Sequence, residues 1–314
     1  MKQNQIMKND DATKKADKTD IMKINTKNQQ VDVLITTYND GKYIKDCIES
    51  ILSQTYKKFR LIIVDDGSTD ETASIVGSFN DNRLEYYRFG KNSGNISKIR
   101  NKALEFLKNN IFFITDSDCK VDKDWLKEGM KEFEKDPFLL AVEGILYYNK
   151  PGYKKTLSDR YIQNLTGGNW CMANMAFKTD IIKKIRFNEA YHRMEDRDIA
   201  LQIMKEKTIP FNKNMKVYHQ IKKNTVKWFL FGGTKNAQSK VRFYKYYDDQ
   251  ANIKNFIYEP KKLLKTFIPV LFLFNLNKVK SWDDFKIWML LWPQAIIERI
   301  YVWKTAIKER ILVL

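Results

Sequence analysis

Asp116-Ser117-Asp118 follows the apolar run Ile111 to Thr115. Carboxylates two residues apart in extended backbone leave the same face and can converge on one hard cation. Magnesium or manganese, shared with phosphate oxygens, suits such donors, although a solvated turn would hold the same pair. A second acidic group, Glu195-Asp196-Arg197-Asp198, precedes Ile199, Leu201 and Ile203. Carboxylates there suit either the first turn of a helix or proton transfer. His219 ends a strand-like run from Phe211 to Tyr218, and His192 is the only other histidine. Cys47, Cys119 and Cys171 show no CxxC spacing, so zinc fingers and disulfide frameworks lack ligands and reduced thiols in a cytoplasmic setting are expected.

These groups need a scaffold, and the apolar pattern supplies one. Val31 to Thr37 reads as a buried strand, followed by the turn Tyr38-Asn39-Asp40-Gly41 and by Ile44, Cys47, Ile48, Ile51 and Leu52 at helical spacing. Phe59 to Val64 is a second strand running into Asp65-Asp66-Gly67-Ser68-Thr69-Asp70, where Ser68 or Thr69 is expected to cap a helix carrying Ile75 and Val76. Leu84 to Phe89 and Ile111 to Thr115 read as further strands, and Ile96 to Leu107 and Glu195 to Lys205 as helices. Alternating strands and helices imply an α/β fold with a mostly parallel central sheet covered on both faces. In such sheets ligands gather at the carboxyl ends of strands, which is where Thr36 to Asn39, Asp65 to Asp70 and Asp116 to Asp118 all fall. No GxGxxG follows a strand and no Walker loop occurs.

Taken in order, Val31 to Gly41, Ser50 to Tyr56, Ile62 to Thr72, Asn92-Ser93-Gly94 with Arg100-Asn101, Asp116-Ser117-Asp118, Ala173 to Lys178 and Glu195 to Asp198 closely resemble the family 2 glycosyltransferases. The resemblance runs over about residues 31 to 220. It implies the GT-A nucleotide-sugar-binding fold and inverting, metal-dependent transfer of a sugar from a nucleotide-diphosphate donor. By position, it implies that Thr36 and Tyr38 line the nucleotide pocket, that Asp66 accepts a hydrogen bond from the base, and that Arg100 sits near the nucleotide. Asp116 would face the ribose and the metal-bound diphosphate. Asp118 would ligate the divalent cation, Mn2+ or Mg2+, with His219 assisting, and Asp196 would be the catalytic base. Glu195 would support the acceptor side, where Trp170, beside Gly167 and Gly168, offers a ring for stacking on a sugar. Thr36 stands where many relatives have proline, and Gln202 where an arginine commonly follows the acidic motif.

The 314 residues carry 56 Lys and Arg against 38 Asp and Glu, a formal charge of +18, which predicts attraction to polyanions. Residues 221 to 314 hold 18 Lys and Arg against seven Asp and Glu, together with Trp282, Trp288, Trp292 and Trp303. Apolar runs there, Leu263 to Phe274 and Ile287 to Trp303, are too interrupted for a transmembrane span. The expected organisation is a solvated tail over 1–30, a GT-A domain over 31–220 and a basic, aromatic helical extension over 221–314 that meets an anionic membrane or packs within the protein. The expected activity is a hexosyltransferase type of glycosyltransferase, with a UDP-sugar first among donors and a glycan or lipid-linked sugar as acceptor, in cell-surface polysaccharide or glycoconjugate assembly. It would work in the cytoplasm, peripherally at the inner face of the membrane. A non-catalytic surface or nucleic-acid-binding protein and a nucleotidyltransferase are the alternatives. No nucleic-acid motif is present, so no nucleic acid is expected as partner.

Overall fold

A computed structural model describes residues 29–148, 156–160, 162–247 and 276–310. The expected tail, apart from Gln29 and Gln30, and the run Leu263 to Phe274 lie outside the described residues. In chain order the first elements are β1 (Val31–Thr37), α1 (Gly41–Leu52), β2 (Phe59–Asp65), α2 (Thr72–Gly77), β3 (Leu84–Arg88), α3 (Ile96–Ala103) and β4 (Ile111–Asp116). Then come β5 (Cys119–Val121), α4 (Trp125–Lys135), β6 (Ala141–Tyr148), β7 (Asp159–Arg160), β8 (Met175–Lys178), α5 (Thr179–Ile185), α6 (Glu195–Met204) and β9 (Phe211–His219). The last are β10 (Lys222–Lys223), α7 (Val226–Phe231), α8 (Thr234–Tyr247), α9 (Trp282–Met289) and α10 (Leu291–Glu309).

Eight strands form one sheet in the order β3-β2-β1-β4-β8-β6-β9-β5. The half built from β3, β2, β1 and β4 is wholly parallel, and β6 is parallel to β9, whereas β8 runs against β4 and β6 and β5 runs against β9. Side chains alternate between two cores. Val31, Val33, Ile35, Phe59, Leu61, Ile63, Ile111 and Phe113 join one with α1 and α4. Leu34, Ile62, Val64, Phe112 and Ile114 join the other with α3, α5 and α6. Strands covered on both faces are therefore mostly apolar, with the Asp32–Arg60 ion pair between β1 and β2 as an exception.

Two local expectations change. Ser68 does not cap a helix: its amide and hydroxyl donate to Asp65 Oδ1, and α2 starts only at Thr72, whose amide is received by Asp70. The α-helix from Ile96 stops at Ala103 and continues as a single 3₁₀ turn over Leu104–Phe106. Contacts join residues on the two sides of position 220. Lys222 and Lys223 of β10 pair with Arg160 and Asp159 of β7. Ser239 Oγ of α8 accepts from the amides of His192 and Arg193, and Tyr247 donates to Asp198 at 2.7 Å. Buried Asp284 of α9 accepts from the Ser158 amide, and α8 shares an apolar core with α10 through Ala237, Val241, Val302 and Ala306. The C-terminal helices are thus fastened to the loops that border the sheet.

Candidate active site

The carboxyl ends of β1, β2 and β4 open into a cavity of about 840 Å³ lined by Thr36, Tyr38, Asp66, Asp116, Asp118 and His219, among others. Backbone geometry at this rim is unusual. Asn39 after β1 and Met194 before α6 both have positive φ, and Gly67 at +78° lies where a Cβ would come within 2.7 Å of the Lys91 backbone. Only glycine fits that approach.

Adjacent aspartates divide the work at the end of β2. Asp65 is fully buried; it holds the turn through Ser68 and receives the Tyr86 hydroxyl at 2.6 Å. Asp66 lines the cavity, its two oxygens receiving the amide and hydroxyl of Ser93 at 2.9 and 2.8 Å, which fixes the carboxylate plane. Thr36 is 8% exposed and Tyr38 is 44% exposed, so one forms the floor and the other the lip. Thr37 also lines the cavity, and its hydroxyl has no hydrogen-bond partner among the described residues.

Asp116 and Asp118 line the same cavity, each with its own set of neighbours. β4 ends at Asp116, Ser117 and Asp118 form a turn, and β5 departs to pair with β9. Asp116 faces Arg100, with 3.5 Å between Oδ1 and Nη2. Burial raises the Asp116 pKa, Arg100 opposes the rise, and Asp118 adds to it. Asp118 faces β9 instead. Because Cys119 pairs with His219 in the antiparallel register, Asp118 and His219 become neighbours, with Nε2 3.4 Å from Oδ1.

This pair fits a divalent cation. His219 Nδ1 lies 2.9 Å from the Gln220 carbonyl oxygen, an arrangement that directs the proton to Nδ1 and leaves Nε2 as a lone-pair donor. The Cys119 sulfur lies within the same 4.8 Å grouping. Burial, then Asp118 and Asp116, push that thiol well above its ordinary pKa. A neighbour that the sequence reading missed is Lys222: its ammonium lies 2.7 Å from Asp118 Oδ2 and 2.9 Å from Asp40 Oδ1. Burial works against that charge, yet Asp118 and Asp40 outweigh it and raise the Lys222 pKa.

Arg100, expected beside the nucleotide, is 4% exposed and does not line the cavity. Its guanidinium joins Asp116 to Glu195 at 2.8 Å and to Asp196 at 3.0 Å. Three carboxylates keep it charged despite burial. Glu195 is also buried, so it supports Arg100 instead of reaching an acceptor; burial and then Asp196 raise its pKa. Asp196 is the more accessible of the two. It lines a neighbouring cleft of about 700 Å³, its Oδ2 receives the Met172 amide at 3.1 Å, and Ile162 borders both this cleft and the first cavity.

Trp170 lines neither space: it packs against the core that contains Met172, and the Arg197 guanidinium lies 6.0 Å from its ring. The Gly167-Gly168-Asn169-Trp170 turn is held from beneath by Glu143, which receives the amides of Gly168, Asn169 and Trp170 and the Asn164 side chain. Sequence reasoning did not reveal Glu143, because a single acidic residue in an apolar strand has no spacing signal. It also missed the wall contributed by Trp228, Gly232, Gly233 and Lys235 of the C-terminal elements.

Comparison with known proteins agrees with this geometry. Residues 32–204 match the family described as glycosyl transferase family 2. Glycosyltransferase GlyG of Streptococcus pneumoniae serotype 4 is 29% identical over 213 residues, covering 60% of this chain and 70% of GlyG. Poly(ribitol-phosphate) beta-N-acetylglucosaminyltransferase TarS of Staphylococcus aureus is 34% identical over 119 residues, 36% of this chain and 21% of TarS, so the match takes in about a fifth of that relative. The structure of S. aureus TarS 1-349 in complex with UDP-GlcNAc aligns with a TM-score of 0.52 at 18% identity, over 90% of this chain and 93% of that one. Mannosyltransferase PcManGT from Pyrobaculum calidifontis, in complex with GDP-Man and Mn2+, gives 0.51 at 16% identity, over 88% and 73%. At these identities the structural likeness concerns the fold.

Proposed function

The chain belongs to glycosyl transferase family 2 and has the GT-A fold, and from that premise we propose that it is an inverting hexosyltransferase. The donor is a nucleotide-diphosphate sugar, a UDP-sugar first. The acceptor is a hydroxyl of a glycan or lipid-linked sugar, in cell-surface polysaccharide or glycoconjugate assembly. The observation that carries this reading is Arg100, whose one guanidinium reaches Asp116 in the donor cavity and Asp196 in the adjoining cleft. A single buried cation fixes the two carboxylates relative to each other across the two spaces.

In this mechanism Thr36, Tyr38 and Asp66 hold the nucleoside, with Ser93 orienting Asp66. Asp118 and His219 would hold Mn2+ or Mg2+, which when bound supplies Lewis acidity against the charge of the departing diphosphate. Asp196 takes the proton of the acceptor hydroxyl as it attacks. One displacement from the face opposite the leaving group inverts the anomeric centre and needs only this base. Glu195 acts through Arg100 to keep Asp196 in place. Contact with an anionic membrane at the cytoplasmic face completes the proposal. Its support is the exposure of Trp282, Met289, Ile300, Trp303 and Ile307 on α9 and α10; among the described residues no helix is long and apolar enough to cross a membrane.

A donor screen tests the reading. Hydrolysis of UDP-, GDP- and dTDP-sugars is followed with Mn2+ or Mg2+, with chelator, and with Asp118→Ala. One donor should turn over, and chelator and Asp118→Ala should each abolish most of that turnover in a folded protein. Turnover untouched by chelator would overturn metal dependence, and no turnover of any sugar nucleotide would overturn the donor class.

A further inference from the structure

Four carboxylates, Asp40, Asp66, Asp116 and Asp118, and four cations line the cavity, and only some of them meet in ion pairs. Lys222 is shared by Asp40 and Asp118, and Arg100, outside the lining, reaches Asp116. Three further cations line the same cavity from three separate segments: Arg160 on β7, Arg193 before α6, and Lys235 in the first turn of α8. None has a carboxylate partner among the described residues. Arg160 lies over the Trp228 ring at 4.2 Å, which holds its guanidinium without neutralising it. Burial lowers the Arg160 pKa, Asp118 and Asp40 oppose that, and Arg193 adds to it, so Arg160 responds to the acids and to the second guanidinium of the same cavity. A divalent cation offsets the charge of the donor's diphosphate, so these three groups, outside the cavity's ion pairs, can meet a further anion.

Resting on the transferase reading above, we propose that Arg160, Arg193 and Lys235 form a phosphate subsite for an acceptor that itself carries a phosphate. The chemistry matches. Two guanidinium forks recognise phosphate oxygens bidentately, and Lys235 adds a mobile ammonium at a helix N-terminus, where backbone dipoles favour an anion. The position matches as well. Ile162, two residues from Arg160, borders both this cavity and the cleft that holds Asp196, so a phosphate seated here leaves the acceptor's hydroxyl end within the adjoining space. Backbone closeness in the wall depends on Gly232, where a Cβ would fall 2.5 Å from the Trp228 carbonyl oxygen.

The same cations could serve the donor's diphosphate, and calorimetry separates the two sources. Glycerol phosphate, inorganic phosphate and uncharged glycerol are titrated into the full chain alone. They are titrated again after saturation with whichever of UDP, GDP or dTDP binds in the presence of Mn2+. Glycerol phosphate should bind equally in both states and glycerol in neither. Arg193→Ala with Lys235→Ala, both at exposed positions, should weaken glycerol phosphate by at least ten times more than it weakens the nucleoside diphosphate. Exclusion of glycerol phosphate by the nucleoside diphosphate would assign the cations to the donor and overturn the subsite while leaving the transferase reading intact. Equal losses for both ligands, or no binding of glycerol phosphate, would overturn it too. Binding of glycerol phosphate with no nucleoside diphosphate binding would instead overturn the transferase reading and, with it, the acceptor role of the subsite.

Discussion

At Asp118 a carboxylate meets both a histidine and an ammonium ion, and the two contacts pull in different directions. His219 presents a lone pair toward the same space, whereas Lys222 at 2.7 Å occupies the carboxylate with a positive charge that competes with any added cation. Lys222→Met should therefore tighten Mn2+ binding by about tenfold, roughly 1.4 kcal/mol, as read by calorimetry without nucleotide. Unchanged affinity would mean that the ammonium moves aside without cost. Asp196 makes a different prediction. Asp196→Asn keeps the Met172 amide contact but removes the proton acceptor, so sugar transfer should fall by ~10² to 10⁴ while nucleotide affinity persists. An equal loss in both would make Asp196 a binding residue. The acidic motifs were legible because spacing and strand ends mark them. Lys222, Arg160 and Arg193 were not, since one basic residue among 56 carries no mark until the fold brings it to a carboxylate or to another cation.

Single residues of this kind are held by elements, and the elements differ in how plainly the sequence announces them. β1, β2 and β4 are continuous apolar runs and were readable to within a residue. β5, β7 and β10 are two or three residues long, and pairing with a distant strand, not local propensity, makes them strands. That is why the placement of Asp118 against His219 could not be derived from spacing. Glu143 on β6 shows the same dependence on tertiary context. It is 1% exposed and fastens the 164–170 turn through four donors, so Glu143→Ala should cost about 3 kcal/mol in denaturant unfolding and loosen the Asp196 cleft. On the other flank, Arg60 of β2 holds Glu85 of β3 by two contacts of 2.8 Å. Its hydrogen bond lowers the Glu85 pKa from 4.5 to about 2. A depressed carboxylate stabilises the fold above its unfolded value and loses that contribution as pH falls through the folded one. The melting temperature of Glu85→Gln should thus lie below the parent's above pH 5 and approach it as pH falls towards 2. A difference that stayed constant with pH would remove the ion pair as its cause.

Over the whole molecule, the composition changes near residue 220 while contacts continue across that position. Trp228 and Lys235 wall the cavity at the strand ends, and Ser239 and Tyr247 hold the segment that carries Arg193 and Asp198. Cutting the chain after Gln220 would remove part of the site along with any membrane contact, so membrane association has to be tested by substitution. The residues to change are on the page: Trp282, Phe285 and Met289 share one face of α9, and Ile300, Trp303 and Ile307 share one face of α10, all of them exposed. Exposed apolar stripes among lysines suit insertion at headgroup depth, with each basic residue near an anionic surface adding about 1 kcal/mol. The full chain should float with anionic vesicles at low ionic strength, less at high ionic strength, and little with neutral vesicles. Trp282→Ser with Ile300→Ser and Trp303→Ser should abolish flotation while donor hydrolysis continues, because none of the three lines the cavity. Flotation that survives these changes would assign binding to the basic residues alone. Equal recovery from neutral and anionic vesicles would remove the electrostatic part, and no flotation by the unaltered chain would leave the exposed stripes as a surface for protein contact.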